Sequence, residues 1–121
     1  MSKFFIGFGL LFSFCAQADI RFSPSYVSMG MVPVRSTGYT TAYLYNYGTE
    51  TVNISMSNTC YSDFYVSSAC YGRLEPNFSC SITIRFSPQR VGTQSCQVNA
   101  RDDNRGWATL SINGSGYENR R

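Results

Sequence analysis

The stretch CYGRLEPNFSCSITIRFSP, residues Cys70 to Pro88, decides how the chain is read. Two cysteines flank the Glu75-Pro76-Asn77 turn. The second opens a run in which Ile82, Ile84 and Phe86 alternate with Ser81, Thr83 and Arg85. Successive side chains of a strand point to opposite faces, so an apolar residue at every second position marks a strand with one face on a core. Pro88 cannot donate to a strand ladder and ends the run. The same alternation recurs on both sides. TVNISMSN (51–58) puts Val52, Ile54 and Met56 on one face, SCQVNA (95–100) puts Cys96, Val98 and Ala100 there, and ATLSINGSG (108–116) puts Ala108, Leu110 and Ile112 there. Ser23-Pro24, Gly38, Gly48, Pro76-Asn77, Pro88, Gly92 and the polar RDDNRG (101–106) separate the runs with turn chemistry. Strands are predicted near 20–22, 25–31, 39–46, 51–57, 63–67, 80–86, 94–101 and 107–113, and no stretch holds a 3.6-residue period. Short strands at roughly ten-residue spacing, without helices between them, predict an all-β antiparallel sandwich or barrel of seven to eight strands.

The first eighteen residues read as an export signal. Lys3 gives the positive start, FFIGFGLLFSF (4–14) the apolar run, and AQA (Ala16–Ala18) the small-x-small pattern, which sets cleavage between Ala18 and Asp19. The run is shorter than the ~20 residues of a membrane span. Cys15 raises lipoprotein processing as a rival, although Phe14 stands where that motif wants a small residue. The domain is then expected over 19–116, with 117–121 as a C-terminal tail. The whole chain carries +3, and loss of Lys3 leaves a weak, scattered positive charge that predicts no nucleic-acid partner. Cys60, Cys70, Cys80 and Cys96 remain after cleavage. Their even number and the oxidising compartment predict disulfides, and three pairings are possible.

The ordered motifs resemble the Hydin-like immunoglobulin-type domain, also called the ASH domain, whose bacterial exported versions are labelled choice-of-anchor domains. The residues that carry the resemblance are GMVPVRS (Gly30–Ser36), LYNYG (Leu44–Gly48), Cys70, LEPNFSCSITIRFSP (Leu74–Pro88), Gly92 and INGSG (Ile112–Gly116). Arg35 and Asn77 stand where that family has glycines. Asn tolerates positive φ better than other non-glycine residues, so the second departure keeps the turn physics. The resemblance implies an immunoglobulin-like antiparallel β-sandwich used for binding or assembly in the bacterial periplasm or cell exterior, without a shared catalytic site. It also implies a Cys70–Cys80 bridge, and with it Cys60–Cys96 as the second.

Little chemistry is available. The chain has no His, and its one Lys lies in the leader, so neither a Ser-His-Asp triad nor a lysine Schiff base can form in the exported part. Cysteine spacings of ten, ten and sixteen do not suit a zinc site, and there is no CxxC. Asp102, Asp103 and Asn104 carry calcium-type oxygens but read as a polar hairpin turn. No catalytic residue, cofactor or metal is predicted. The candidate binding surface is a tyrosine stripe. The resembled LYNYG pattern implies Leu44 inside, and small Ala42 suits a crowded interior. With Ala42, Leu44 and Asn46 facing the core, Thr41, Tyr43, Tyr45 and Tyr47 face away, and the reversed register would put the tyrosines inside. Such a stripe suits a protein partner or a polysaccharide. The expected function is a non-enzymatic exported module acting by protein–protein contact. The alternatives are a carbohydrate-binding module using the same tyrosines and a pilus-chaperone-like strand donor.

Overall fold

The computed structural model describes residues 19–118. The leader read at 1–18, with Cys15 and Ala18, and residues 119–121 of the tail lie outside the described residues. Nine strands follow one another: β1 (Ile20–Ser23), β2 (Tyr26–Pro33), β3 (Gly38–Asn46), β4 (Val52–Asn58), β5 (Phe64–Ser68), β6 (Gly72–Leu74), β7 (Ser79–Phe86), β8 (Gly92–Asp102) and β9 (Trp107–Tyr117). They form two packed sheets, of order β1-β3-β7-β5 and β2-β9-β8-β4-β6. β6 is one strand more than the sequence suggests. Its three residues are too few to show alternation, and they carry the chain back from the four-stranded sheet to the edge of the five-stranded one. All strand pairs are antiparallel except β2 with β9, which run parallel. The first extended segment splits at Ser23-Pro24, a cis peptide. Pro24 has no N–H for either ladder, so β1 stays on β3 and β2 crosses to the other sheet. β9 continues through Tyr117, whose carbonyl accepts from Val34 N at 2.8 Å, so the first residue expected in the tail belongs to the sheet.

The core is built by the predicted alternation. Ile82, Ile84 and Phe86 of β7 are fully buried and face Val98 and Ala100 of β8 and Leu110 and Ile112 of β9. Burying each large aliphatic or aromatic side chain stabilises by about 1.5–3 kcal/mol. Phe86 stacks on Phe64 at 4.5 Å between ring centroids. The closing INGSG segment makes room for the quoted stretch. A Cβ on Gly114 would lie 2.7 Å from the Phe86 ring, and one on Gly116 would lie 2.7 Å from Pro88 Cβ and against the Arg90 carbonyl. Bare backbone at both positions lets β9 approach Phe86 and Pro88.

Two polar side chains are buried among these residues, and each ties several segments. Asn46 donates from Nδ2 to the carbonyls of Glu50 (2.8 Å) and Leu74 (3.0 Å) and accepts from Gly48 N at 2.9 Å. Its own backbone bonds Phe78 O and Asn77 N. It therefore joins the end of β3, the turn into β4 and the turn between β6 and β7. Asp63 accepts from Gln94 Nε2 (2.7 Å), Gln89 N (3.0 Å) and Ser62 Oγ (3.4 Å), and its carbonyl accepts from Ser87 N. It ties the start of β5 to the chain between β7 and β8. Burial pushes the Asp63 carboxyl up. The bonds from Gln94, Gln89 and Ser62, with the nearby Arg90 charge, outweigh that and hold it below its ordinary value of 3.8.

Cys60 is bonded to Cys96 and Cys70 to Cys80, with Cα atoms 5.0 and 5.3 Å apart, inside the usual disulfide range. The first bridge fastens the loop after β4 to β8. The second fastens the crossing between β5 and β6 to β7. For sequence separations of 36 and 10, chain entropy credits them with about 4 and about 3 kcal/mol.

Arg35 and Asn77 sit at φ 72° and 67°, the left-handed region that glycine would occupy without strain. An ordinary side chain there costs ~1–2 kcal/mol, partly offset by the smaller entropy it loses on folding. Arg35→Gly is therefore expected to stabilise the domain by about 0.5–1 kcal/mol, and Asn77→Gly by less, as urea midpoints at equal m-value. A lower midpoint for Arg35→Gly would contradict the backbone described. For Asp63, the folded pKa lies below the unfolded one. Its stabilisation is therefore present above about pH 4 and lost as pH falls through the folded value. Asp63→Asn is expected to cost about 1–3 kcal/mol at pH 7, and the gap from the parent should narrow as pH drops from about 5 toward 2. A gap that stays constant over that range would remove the charged carboxylate from the account.

Candidate functional site

The outer surface of the four-stranded sheet collects the aromatic residues. On β3 the parity fixed by buried Ala42, Leu44 and Asn46 turns Tyr39, Thr41, Tyr43 and Tyr45 outward, and Tyr47 follows just past the strand. Tyr43 is 42% exposed and Tyr47 53%, while Tyr45 is half-buried between them. Tyr45 and Tyr47 are stacked at 5.6 Å with 22° between their planes, and Tyr43 is tilted against Tyr45 at 6.4 Å. The three residues of the predicted stripe thus form one contiguous ladder.

Pairing with the flanking strands adds residues that parity alone does not reveal. Arg21 on β1 lies opposite Tyr45, and its guanidinium sits 5.5 Å from the Tyr47 ring centroid. On β7, Arg85 lies opposite Tyr39 on one side and opposite Tyr65 of β5 on the other, with its guanidinium 4.7 Å from the Tyr65 ring. Tyr39 is 68% exposed and Tyr65 56%. Between these two rows the surface carries hydroxyls. Tyr43 faces Ser23 and Ser81, and Thr41 faces Thr83, which faces Ser67. The face as a whole is five tyrosines and two arginines on a floor of serine and threonine, and no outward residue of its four strands is acidic. Sequence reasoning found Tyr43, Tyr45 and Tyr47 but missed Tyr39, Tyr65, Arg21 and Arg85. Tyr39 shares the parity of the stripe and was within reach. The other three join only through inter-strand register.

Other parts of the surface are less organised. Shallow clefts of about 350 and 340 Å³ adjoin the Cys60–Cys96 bridge, lined among others by Thr59, Tyr61, Arg90 and Gln94 on one side and by Gln97 and Asn113 on the other. No group of three His, Cys, Asp or Glu side chains able to hold a metal occurs among the described residues. In the 101–106 turn, Asp102 Oδ1 accepts from Asn104 N and Gly106 N, which shapes the hairpin. Asp103 receives the Asn53 side chain and backbone N, and these bonds hold its carboxyl below the ordinary value. Asp102 thus shapes the turn, and Asp103 ties it to β4. No helix of the described residues is long and apolar enough to cross a membrane.

The family model of the HYDIN/CFA65/VesB-like Ig-like domain matches residues 18–115. None of the curated proteins matches the sequence. Among solved structures, the ASH/PapD-like domain of human CEP192 (PapD-like domain 7) superposes with a TM-score of 0.66 at 18% identity, covering 100% of this chain and 98% of that one. The VesB protease of Vibrio cholerae gives 0.62 at 18% identity over 82% of this chain and 32% of its own, so the chain spans about a third of that protease. WR4, an MSP family member of C. elegans, gives 0.58 at 8% identity over 84% of this chain and 100% of that one. Identities this low speak for the fold alone. The matched span takes in nearly all of the two-sheet body, and the chain belongs to the HYDIN/CFA65/VesB-like Ig-like domain family.

Proposed function

We propose that this chain is a non-enzymatic, exported binding module that docks a protein partner on the outer face of the β1-β3-β7-β5 sheet, in the bacterial periplasm or at the cell exterior. The observation that carries the reading is the composition of that face. Exposed tyrosines on a serine and threonine floor, with arginines among them, are the residue types that dominate protein-recognition surfaces. Tyrosine adds large contact area at the cost of two torsions, and arginine and tyrosine are enriched among the few residues that carry binding energy. The parity of β3 sets which positions face outward, but nothing in the packing requires tyrosine at them. Leu44, Ala42, Ile82 and Ile84 fill the inner side of the same strands without them. A contiguous aromatic patch on an isolated domain is the usual mark of an interaction site.

Export is supported by the leader pattern and by the two disulfides, which persist in oxidising compartments. A sugar-binding reading of the same face is less well served. Tyr45 and Tyr47 stack on each other, which leaves less open ring surface for a pyranose to lie on.

In-cell photo-cross-linking from position 43 is expected to capture a discrete protein neighbour in envelope fractions. Tyr45→Ser should lower the yield about tenfold or more, as loss of an interface anchor does. Tyr45 packs against two rings, so Tyr45→Ser should lower stability by about 0.5–1.5 kcal/mol and leave the domain folded. Capture that is unchanged by Tyr45→Ser, or that moves to the β2 edge, would take the docking site off this face.

A further inference from the structure

We propose that the partner meets this face with an acidic segment, its carboxylates seated on the two tyrosine-clamped guanidiniums, Arg85 and Arg21. The inference rests on the reading of the face as a protein-docking surface and adds the chemistry of what docks. Each guanidinium lies over a tyrosine ring, Arg85 on Tyr65 and Arg21 on Tyr47. Each also has a second tyrosine across the strand, Tyr39 and Tyr45 respectively. A ring beneath a guanidinium holds its position by cation–π attraction and engages none of its N–H donors, which stay free for a carboxylate. Neither fork is used among the described residues. The one ion pair among the described residues is Arg73 with Glu75. The nearby carboxylate in sequence, Asp19, precedes β1 and makes no such pair. Three further acids are engaged elsewhere, Asp63 by Gln94 and Gln89, Asp102 by its own turn and Asp103 by Asn53 of β4.

Docking gives these unpaired cations a consequence. A protein laid across the tyrosines would strip water from both guanidiniums, and a buried charge without a partner is strongly disfavoured. An acidic partner converts that penalty into two charge-assisted pairs. A neutral or basic partner leaves it standing. The spacing is also set. Arg85 sits in the row of Tyr39 and Arg21 in the row of Tyr45, six residues along β3, or about 20 Å at the rise of a strand. The hydroxyls of Ser81, Thr83, Thr41 and Ser67 lie in the rows between. An extended segment crossing the face would place acidic residues near its two ends and hydrogen-bonding residues between them.

The test is selection of random displayed peptides on the oxidised domain, followed by binding of the synthesised winners to the protein and its variants. Winners should be enriched in Asp and Glu. Their affinity should fall about tenfold or more with Arg85→Gln or Arg21→Gln, and it should weaken as sodium chloride is raised. Arg101→Gln, on the outer side of the other sheet, should leave it unchanged. Winners without acidic excess that bind Arg85→Gln as they bind the parent, yet are lost with Tyr43→Ser, would overturn the acidic-partner proposal and leave the docking face standing. Winners insensitive to every one of these changes would overturn both. Polygalacturonate is the parallel probe. If it binds through Arg85 while no peptide is selected, the guanidiniums serve an anionic glycan and the proposal falls.

Discussion

Asn46 is the contact on which the arrangement of this domain turns. It is buried at the end of β3, and its side chain satisfies an amide and a carbonyl of the turn into β4 and the Leu74 carbonyl at the end of β6. A buried amide without partners would cost several kcal/mol, so the side chain has one acceptable place. That place fixes the parity of β3. A slip of one residue would turn Asn46 to solvent, expose Leu44 and Ala42, and force Tyr43 and Tyr45 into a space already filled by Ile82 and Ile84. The outward tyrosines are thus a consequence of an inward asparagine. The same interaction holds the turn before β7, and with it the register of β7 against β3. That register brings Arg85 beside Tyr39.

The disulfides act on different parts of the same problem. A domain of this size buries a modest share of its surface, and every connection in this one except β8–β9 carries the chain from one sheet to the other. Cys70 lies in one such crossing, between β5 and the three-residue β6, and its bond to Cys80 pins that crossing to the centre of the four-stranded sheet. The first crossing, at Ser23-Pro24, has no bridge. It is held by β1 on β3 and by the parallel run of β2 along β9. Gly114 and Gly116 let that last strand approach Phe86 and Pro88, so the quoted stretch and the closing motif lock each other.

How much of this was legible follows from what each feature depends on. Period-two alternation depends only on neighbours in sequence, and it gave eight strands with bounds close to those observed. The family resemblance rested on motifs whose purpose the structure makes physical. LYNYG carries Asn46, INGSG carries the two glycines against Phe86 and Pro88, and the two departures from glycine both sit at positive φ. What could not be read depends on register between distant strands. β6 has no alternation to detect. The parallel pairing of β2 required knowing that Pro24 switches sheets. Asp63 sits in YSDFYV, which reads as a turn, and its partners Gln89 and Gln94 are more than twenty residues away. Arg21, Arg85 and Tyr65 belong to the candidate face only because three strands align there.

The two outer surfaces of the sandwich make the final point, because folding alone does not explain their difference. On the five-stranded sheet the outward rows are mostly small and neutral: Thr109, Asn99 and Ser57 in one, Ser111 and Gln97 beside Tyr26 in another, Ser115 and Thr93 beside Met31 in a third, with Trp107 and Arg101 paired at one end. Hydroxyls and amides there bond one another across strands, as Thr109 does to Asn99 and Thr93 to Ser115. That is what an exposed sheet face looks like when it has only to stay wet and paired. The four-stranded sheet could have been built the same way, since its inner side is packed as densely and its outer positions are as open. It presents rings and guanidiniums instead, in residue types that cover large areas and lose little freedom when covered. Strand propensity accounts for single tyrosines. It does not account for a guanidinium over a ring in each of two rows, with no described carboxylate paired to either. That combination is chemistry held ready for a charged surface the domain does not itself supply.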